Sequence, residues 1–170
     1  TFHEPLHGDL MLYAVSAREW LLGRGLYSDL FDVKPPGIFW AYAGAQALFG
    51  YTRLSVFALN AGCAVLTLLA VFCAGRLKSG RLRTGLWAGL FWTLISGDMN
   101  LWANQPNTEA FINLFAAAGF FILLGRKAGE DLSTAGAVAL GALFAAASFF
   151  KQNSLAIFHP FSFQMDAVPP

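Results

Sequence analysis

Long apolar runs alternate with short charged clusters along the chain, and the runs set its elements. Four of them contain no Asp, Glu, Lys or Arg: Leu54 to Gly75, Thr84 to Gly97, Ala110 to Gly125 and Leu132 to Phe150. A helix rises about 1.5 Å per residue, so crossing a bilayer core of about 30 Å takes about 20 residues. The first and last runs suffice alone, and the middle two borrow polar residues from their ends. Four membrane spans are therefore expected, over residues 54–75, 84–103, 108–125 and 132–150.

The region before them is more polar. From Asp9 to Leu22, "DLMLYAVSAREWLL" keeps Leu10, Ala14, Ala17 and Leu21 on one helical face, and Gly23 with Gly25 is placed to end that helix. In "YSDLFDVKPPG", Pro35 and Pro36 remove backbone donors and push Lys34 toward an extended conformation, which makes the segment a turn into the next element. The apolar stretch "GIFWAYAGAQALFG" that follows runs about 13 residues before Gly50 and Arg53, too short for a span. Both helices are expected to lie at the membrane surface, the second with a re-entrant alternative. The expected fold is all-α: a polytopic membrane helix bundle with interfacial, juxtamembrane helices in its first outer loop. Residues 1–53 form that loop, residues 1–158 the partial transmembrane domain, and residues 159–170 an irregular tail.

Charge orients the bundle. "RLKSGRLR", from Arg76 to Arg83, carries four cations and no acid, and belongs in the cytoplasm by the positive-inside tendency. "DMNLWANQPNTE", from Asp98 to Glu109, has two acids and no Lys or Arg, which fits the outer side. "RKAGED" returns inside, and parity then places Lys151 outside. If residues 37–49 are interfacial, the first loop, Glu109 and Lys151 meet on one face of the membrane.

Composition agrees with a membrane class and narrows the chemistry. Hydrophobic residues make up 56% and charged residues 12%, with a mean hydropathy of +0.54. A net charge of +1 without a basic, aromatic platform gives no case for a nucleic-acid partner. Cys63 and Cys73 are ten residues apart in one helix, about 15 Å along its axis, so they do not bridge each other and read as buried thiols. No signal peptide pattern is present and the chain opens on Thr1, so a piece of a longer protein is expected. Nucleophile elbows, C-x-x-C, H-E-x-x-H and P-loop patterns are absent, which leaves carboxylates and cations at a membrane face.

Each such residue has two readings. Asp9 opens a helix, where a carboxylate caps backbone N–H groups, or it serves as a general base toward an acceptor hydroxyl. Asp29, Asp32 and Lys34 form a solvated loop with a surface ion pair, or fix the loop against the head group of a lipid-linked ligand. Glu109 is a helix-start carboxylate or a functional acid. Lys151 snorkels to the interface, or neutralises a phosphate beside Gln152 and Asn153. His3 and His7 have the spacing of a helical metal pair, but Pro5 between them argues against a helix, and a divalent metal is not indicated.

The order of these features resembles a known family. "GDLMLYAVSAREWLLGRGLYSDLFDVKPPGIFWAYAGAQALFG" is similar to the first extracytoplasmic loop of GT-C type membrane glycosyltransferases, the bacterial relatives of dolichyl-phosphate-mannose protein mannosyltransferases and lipid A aminoarabinose transferases. "ANQPNTEAFINLF" resembles the family's second acidic motif and "FFKQNSLAIF" a later Lys-containing one, so the resemblance covers residues 8–158. It implies transfer of a sugar from a polyprenyl-phosphate-linked donor to a lipid, glycan or protein acceptor at the outer face of the cytoplasmic membrane. Asp9 is then the catalytic base and Glu109 the second acid. Lys151 and Tyr13 contact substrate, with Asp29, Asp32 and Lys34 in support. The family often has a second acid directly after the first, where this chain has Leu10. The alternatives are a transporter or flippase-like fragment and a non-catalytic membrane subunit.

Overall fold

A computed structural model of the chain describes residues 8–30, 32–97, 105–126 and 131–152. Among the described residues the fold is all-α, with six helices and no strand. In chain order these are α1 (Asp9–Leu21), α2 (Gly37–Phe49), α3 (Arg53–Ser79), α4 (Leu82–Ser96), α5 (Thr108–Leu124) and α6 (Thr134–Ser148).

The helix ends follow from local chemistry. Gly23 has a φ of +92°, a left-handed conformation that suits a residue without Cβ, and it stands just past the end of α1. Pro36 precedes the first residue of α2, a position where its fixed φ suits a helix start and its missing N–H costs nothing. Asn107 caps α5 by accepting the Glu109 N–H, and Ser133 caps α6 by accepting the Gly136 N–H.

The longest helix, α3, is the spine: it packs most extensively on α4 and α5, and α2 rests against it, with α1 on α2 and α6 on α5. Among the described residues α3 is also the one helix long and apolar enough to cross a membrane by length and composition. The apolar helices α5 and α6 are shorter. The α4 helix stops at Ser96, short of the limit expected at residue 103, and residues 98–104 lie outside the described residues.

Two expectations about burial need correction. The inner face of α1 is Leu10, Tyr13, Ala14, Ser16 and Ala17, whereas Leu21 is 48% exposed. Leu21 is the last residue of α1, and the Tyr13 ring is the large side chain buried on the inner face. Cys63 is buried but Cys73 is only partly so, and both are free thiols.

The core cluster joins α1 and α2 to α3 and α5. Tyr13, Ile38, Phe39 and Tyr42 are almost wholly buried together with Val56 and Cys63 of α3 and Phe111 of α5. Burying an aromatic side chain of this size removes a large apolar area from water, at about 25 cal/mol per Å². The first two helices are thereby held on the rest of the molecule.

Candidate functional site

The site is assembled at the end of the bundle where α1 begins, α5 begins and α6 ends. Asp9 is the first residue of α1, but among the described residues its side chain makes no capping bond, and the N-cap is Gly8. Its carboxylate instead accepts a hydrogen bond from the Tyr13 hydroxyl, one turn on, at 3.2 Å. Lys34 approaches the same oxygen at 3.8 Å. The Asp9 side chain is 66% exposed, so this long contact is a weak tether on an accessible carboxylate.

The loop that delivers Lys34 is tied by its own acids. Asp29 accepts the Gly25 N–H at 2.7 Å and Asp32 accepts the Lys34 N–H at 3.0 Å. The Tyr27 hydroxyl donates to the Lys34 carbonyl at 2.6 Å, and its own backbone is in the left-handed region at φ 74°. A surface ion pair inside this loop was one reading of the sequence; the Lys34 side chain instead reaches out of the loop to α1. The second oxygen of Asp32 is buried and has no hydrogen-bond partner among the described residues.

On the facing side, Glu109 sits in the first turn of α5. Its Oε1 accepts from the Lys151 ammonium at 2.7 Å and its Oε2 from the Thr108 hydroxyl at 3.0 Å. A ladder of contacts brings these two halves together. The Gly37 N–H donates to the Phe149 carbonyl at 2.8 Å, Phe150 stacks on Phe111 with centroids 4.4 Å apart, and the Tyr42 hydroxyl donates to the Pro106 carbonyl at 2.9 Å. Tyr13 itself packs edge-on against Phe39 and Tyr42, at 5.9 and 5.8 Å.

The electrostatics link both halves. The Tyr13 phenol is pushed well above its ordinary range, first by burial, then by the charge and hydrogen bond of Asp9, then by the charges of Asp32 and Glu109. Burial, with Asp32, also raises Tyr27. Tyr13 is thus a donor to Asp9 that also feels the charges of Asp32 and Glu109. Beside it, Lys34, Tyr27, Pro36, Ser148, Phe149 and Gln152 line an open cleft of about 380 Å³. The Lys34 ammonium and the Gln152 amide, among apolar neighbours, can hold an anionic head group.

Of the residues singled out in the sequence, Asp9, Tyr13 and Lys34 form one network, Glu109 and Lys151 another, and Asp29 and Asp32 brace the loop between. Tyr42, Thr108 and Gln46 were missed. Gln46 ties α2 to α1 by donating to the Ala14 carbonyl at 2.7 Å. The available signal was a hydroxyl or amide within an apolar helix, which needs a partner somewhere once buried. Among the described residues no group of three or more His, Cys, Asp or Glu is placed to hold a metal ion, and His3 and His7 lie outside them. Comparisons with protein-family models, with curated proteins and with solved structures find no match to this chain.

Proposed function

We propose that this chain is the loop-and-span portion of a polytopic membrane glycosyltransferase, using a polyprenyl-phosphate-linked sugar at the outer face of the cytoplasmic membrane. The observation that carries the reading is the convergence of Asp9, Tyr13 and Lys34 with Glu109 and Lys151 at one end of the bundle. These are the residues that the sequence resemblance assigns to the site. Membrane placement rests on α3 and on broad apolar exposure: Leu86, Trp87, Phe91 and Leu94 of α4 are all more than half exposed. In this reading α4, α5 and α6 cross beside α3, while α1 and α2 lie at the outer interface.

Asp9 takes the proton of the acceptor hydroxyl as its oxygen attacks the anomeric carbon, the bond to the lipid phosphate breaks, and the configuration inverts. Lys34 and Lys151 balance the charge that develops on the departing phosphate. Tyr13 holds the Asp9 carboxylate in position. Two measurements test this. In the gene's complete product, Asp9→Asn is expected to cut transfer of labelled sugar from a polyprenyl-phosphate donor at least about a hundredfold; undiminished transfer overturns the assignment. Single cysteines at positions 9 and 109 should react with an impermeant thiol reagent from the same side of sealed vesicles. Labelling from opposite sides removes the shared site.

A further inference from the structure

A second cavity, separate from the cleft at Lys34, lies between α3, α4 and α5 and has a volume of about 240 Å³. Its polar lining is Asn60 and Thr67 of α3, Thr93 and Ser96 of α4, and Asn113 of α5. Beyond the first turn and before the basic last turn of α3, Asn60 and Thr67 are that helix's polar residues. Past its first turn, α4 has Thr93 and Ser96, and α5 has Asn113. Every uncharged polar side chain in the apolar bodies of three helices therefore turns toward one space.

We propose that this cavity binds a neutral, hydroxyl-bearing ligand the size of a single sugar ring. Size and polarity set the class. The volume would hold about eight waters at about 30 Å³ each, and is below the range of about 300–1,000 Å³ that drug-sized ligands occupy. Among the described residues no charged side chain lines it, so an ion would enter without a counter-charge from them, at heavy desolvation cost. A purely apolar guest would bring no donor to the hydroxyl and amide oxygens of the lining.

The hydroxyl geometry selects the complementary chemistry. Thr67 donates to the Cys63 carbonyl at 2.8 Å, Thr93 to the Gly89 carbonyl at 2.9 Å, and Ser96 to the Thr93 carbonyl at 3.2 Å. With their protons spent on their own helices, these oxygens offer lone pairs, and the guest must bring O–H donors. The carboxamides of Asn60 and Asn113 both donate and accept, and Trp92 adds an indole wall. Acceptors, amides and an aromatic face together match a ring bearing several hydroxyls. The inference does not use the transferase reading, and undiminished sugar transfer by Asp9→Asn would leave it standing.

The test is equilibrium binding of tritiated glucose, mannose and galactose, each in turn, to the chain in phosphatidylcholine nanodiscs. At least one of them should bind saturably at one site per chain. Asn113→Leu and Thr93→Val should each weaken it about fivefold or more, the loss of one hydrogen bond. Ala64→Phe fills the cavity without removing a polar group and should abolish binding, whereas Val65→Phe, on an exposed position outside the lining, should leave it intact. Helical circular dichroism confirms that each variant is folded. Absence of saturable binding for all three sugars means that the cavity holds water only, and overturns the proposal; so does binding that survives Ala64→Phe.

Discussion

The Lys151 ammonium lies 2.7 Å from Oε1 of Glu109, joining the residue row after α6 to the first turn of α5 across 42 positions of sequence. Both side chains are about 40% exposed, at 42% and 41%, so solvent screens the pair. A double-mutant cycle of Lys151→Met and Glu109→Gln, read by thermal unfolding, should give a coupling of about 0.5–1 kcal/mol that shrinks with added salt. A salt-independent coupling of several kcal/mol would mean that the pair is far less hydrated than its exposure indicates. On the transferase reading, Glu109→Gln lowers activity far more than this small stability change explains.

Alkaline pH should loosen α1 and α2. Tyr13 and Tyr42 are both raised above their ordinary value of 10.0, in each case chiefly by burial. The unfolded chain therefore ionises first. The stabilisation is fully present below pH 10 and is lost as pH rises from there through the raised folded values, at about 1.4 kcal/mol per pH unit and per group. Unfolding midpoints measured from pH 8 to 12 should fall steeply above 10, and less steeply in Tyr13→Phe and in Tyr42→Phe. An unchanged slope in both variants would place the titration elsewhere.

The Gly37 backbone meets the chain end of α6 at Phe149. A Cβ built on it would stand 2.6 Å from the Phe149 carbonyl oxygen, which is backbone and has little room to yield. Gly37→Ala should cost about 1–3 kcal/mol by overpacking. It should also lengthen the distance between spin labels placed at positions 34 and 152. A stable variant with unchanged label distance would show that the two backbones separate freely.

Phe150 is the ring that seats Lys151. It stacks on Phe111 at 4.4 Å and leans on Phe115 at 5.6 Å. Since the ring is only partly buried, Phe150→Ala should cost about 2 kcal/mol, below the range for a fully buried phenylalanine. It should also erase the coupling between Lys151 and Glu109, because the backbone that carries the lysine loses its anchor. Persistence of that coupling would show the ion pair to be self-supporting.

Helices were legible in the sequence because their determinants are local. Charge-free runs, the glycines at 23 and 50 and the diproline at 35 and 36 mark where helical backbone begins and stops, through sterics and hydrogen bonding within a few residues. The face of α1 was legible only in part: Leu10, Ala14 and Ala17 turn inward, but periodicity does not say how far the covering neighbours extend, and Leu21 at the helix end is exposed. What covers what is not a local property. Lys34 pairs with Asp9 and Lys151 with Glu109 because Phe39, Tyr42, Phe111 and Phe150 pack four segments against one another. A charge finds its partner through distance, and distance between remote residues exists only once the apolar faces have closed; the chain by itself determined the helices and their candidate charges, and the packing decided which of those charges meet.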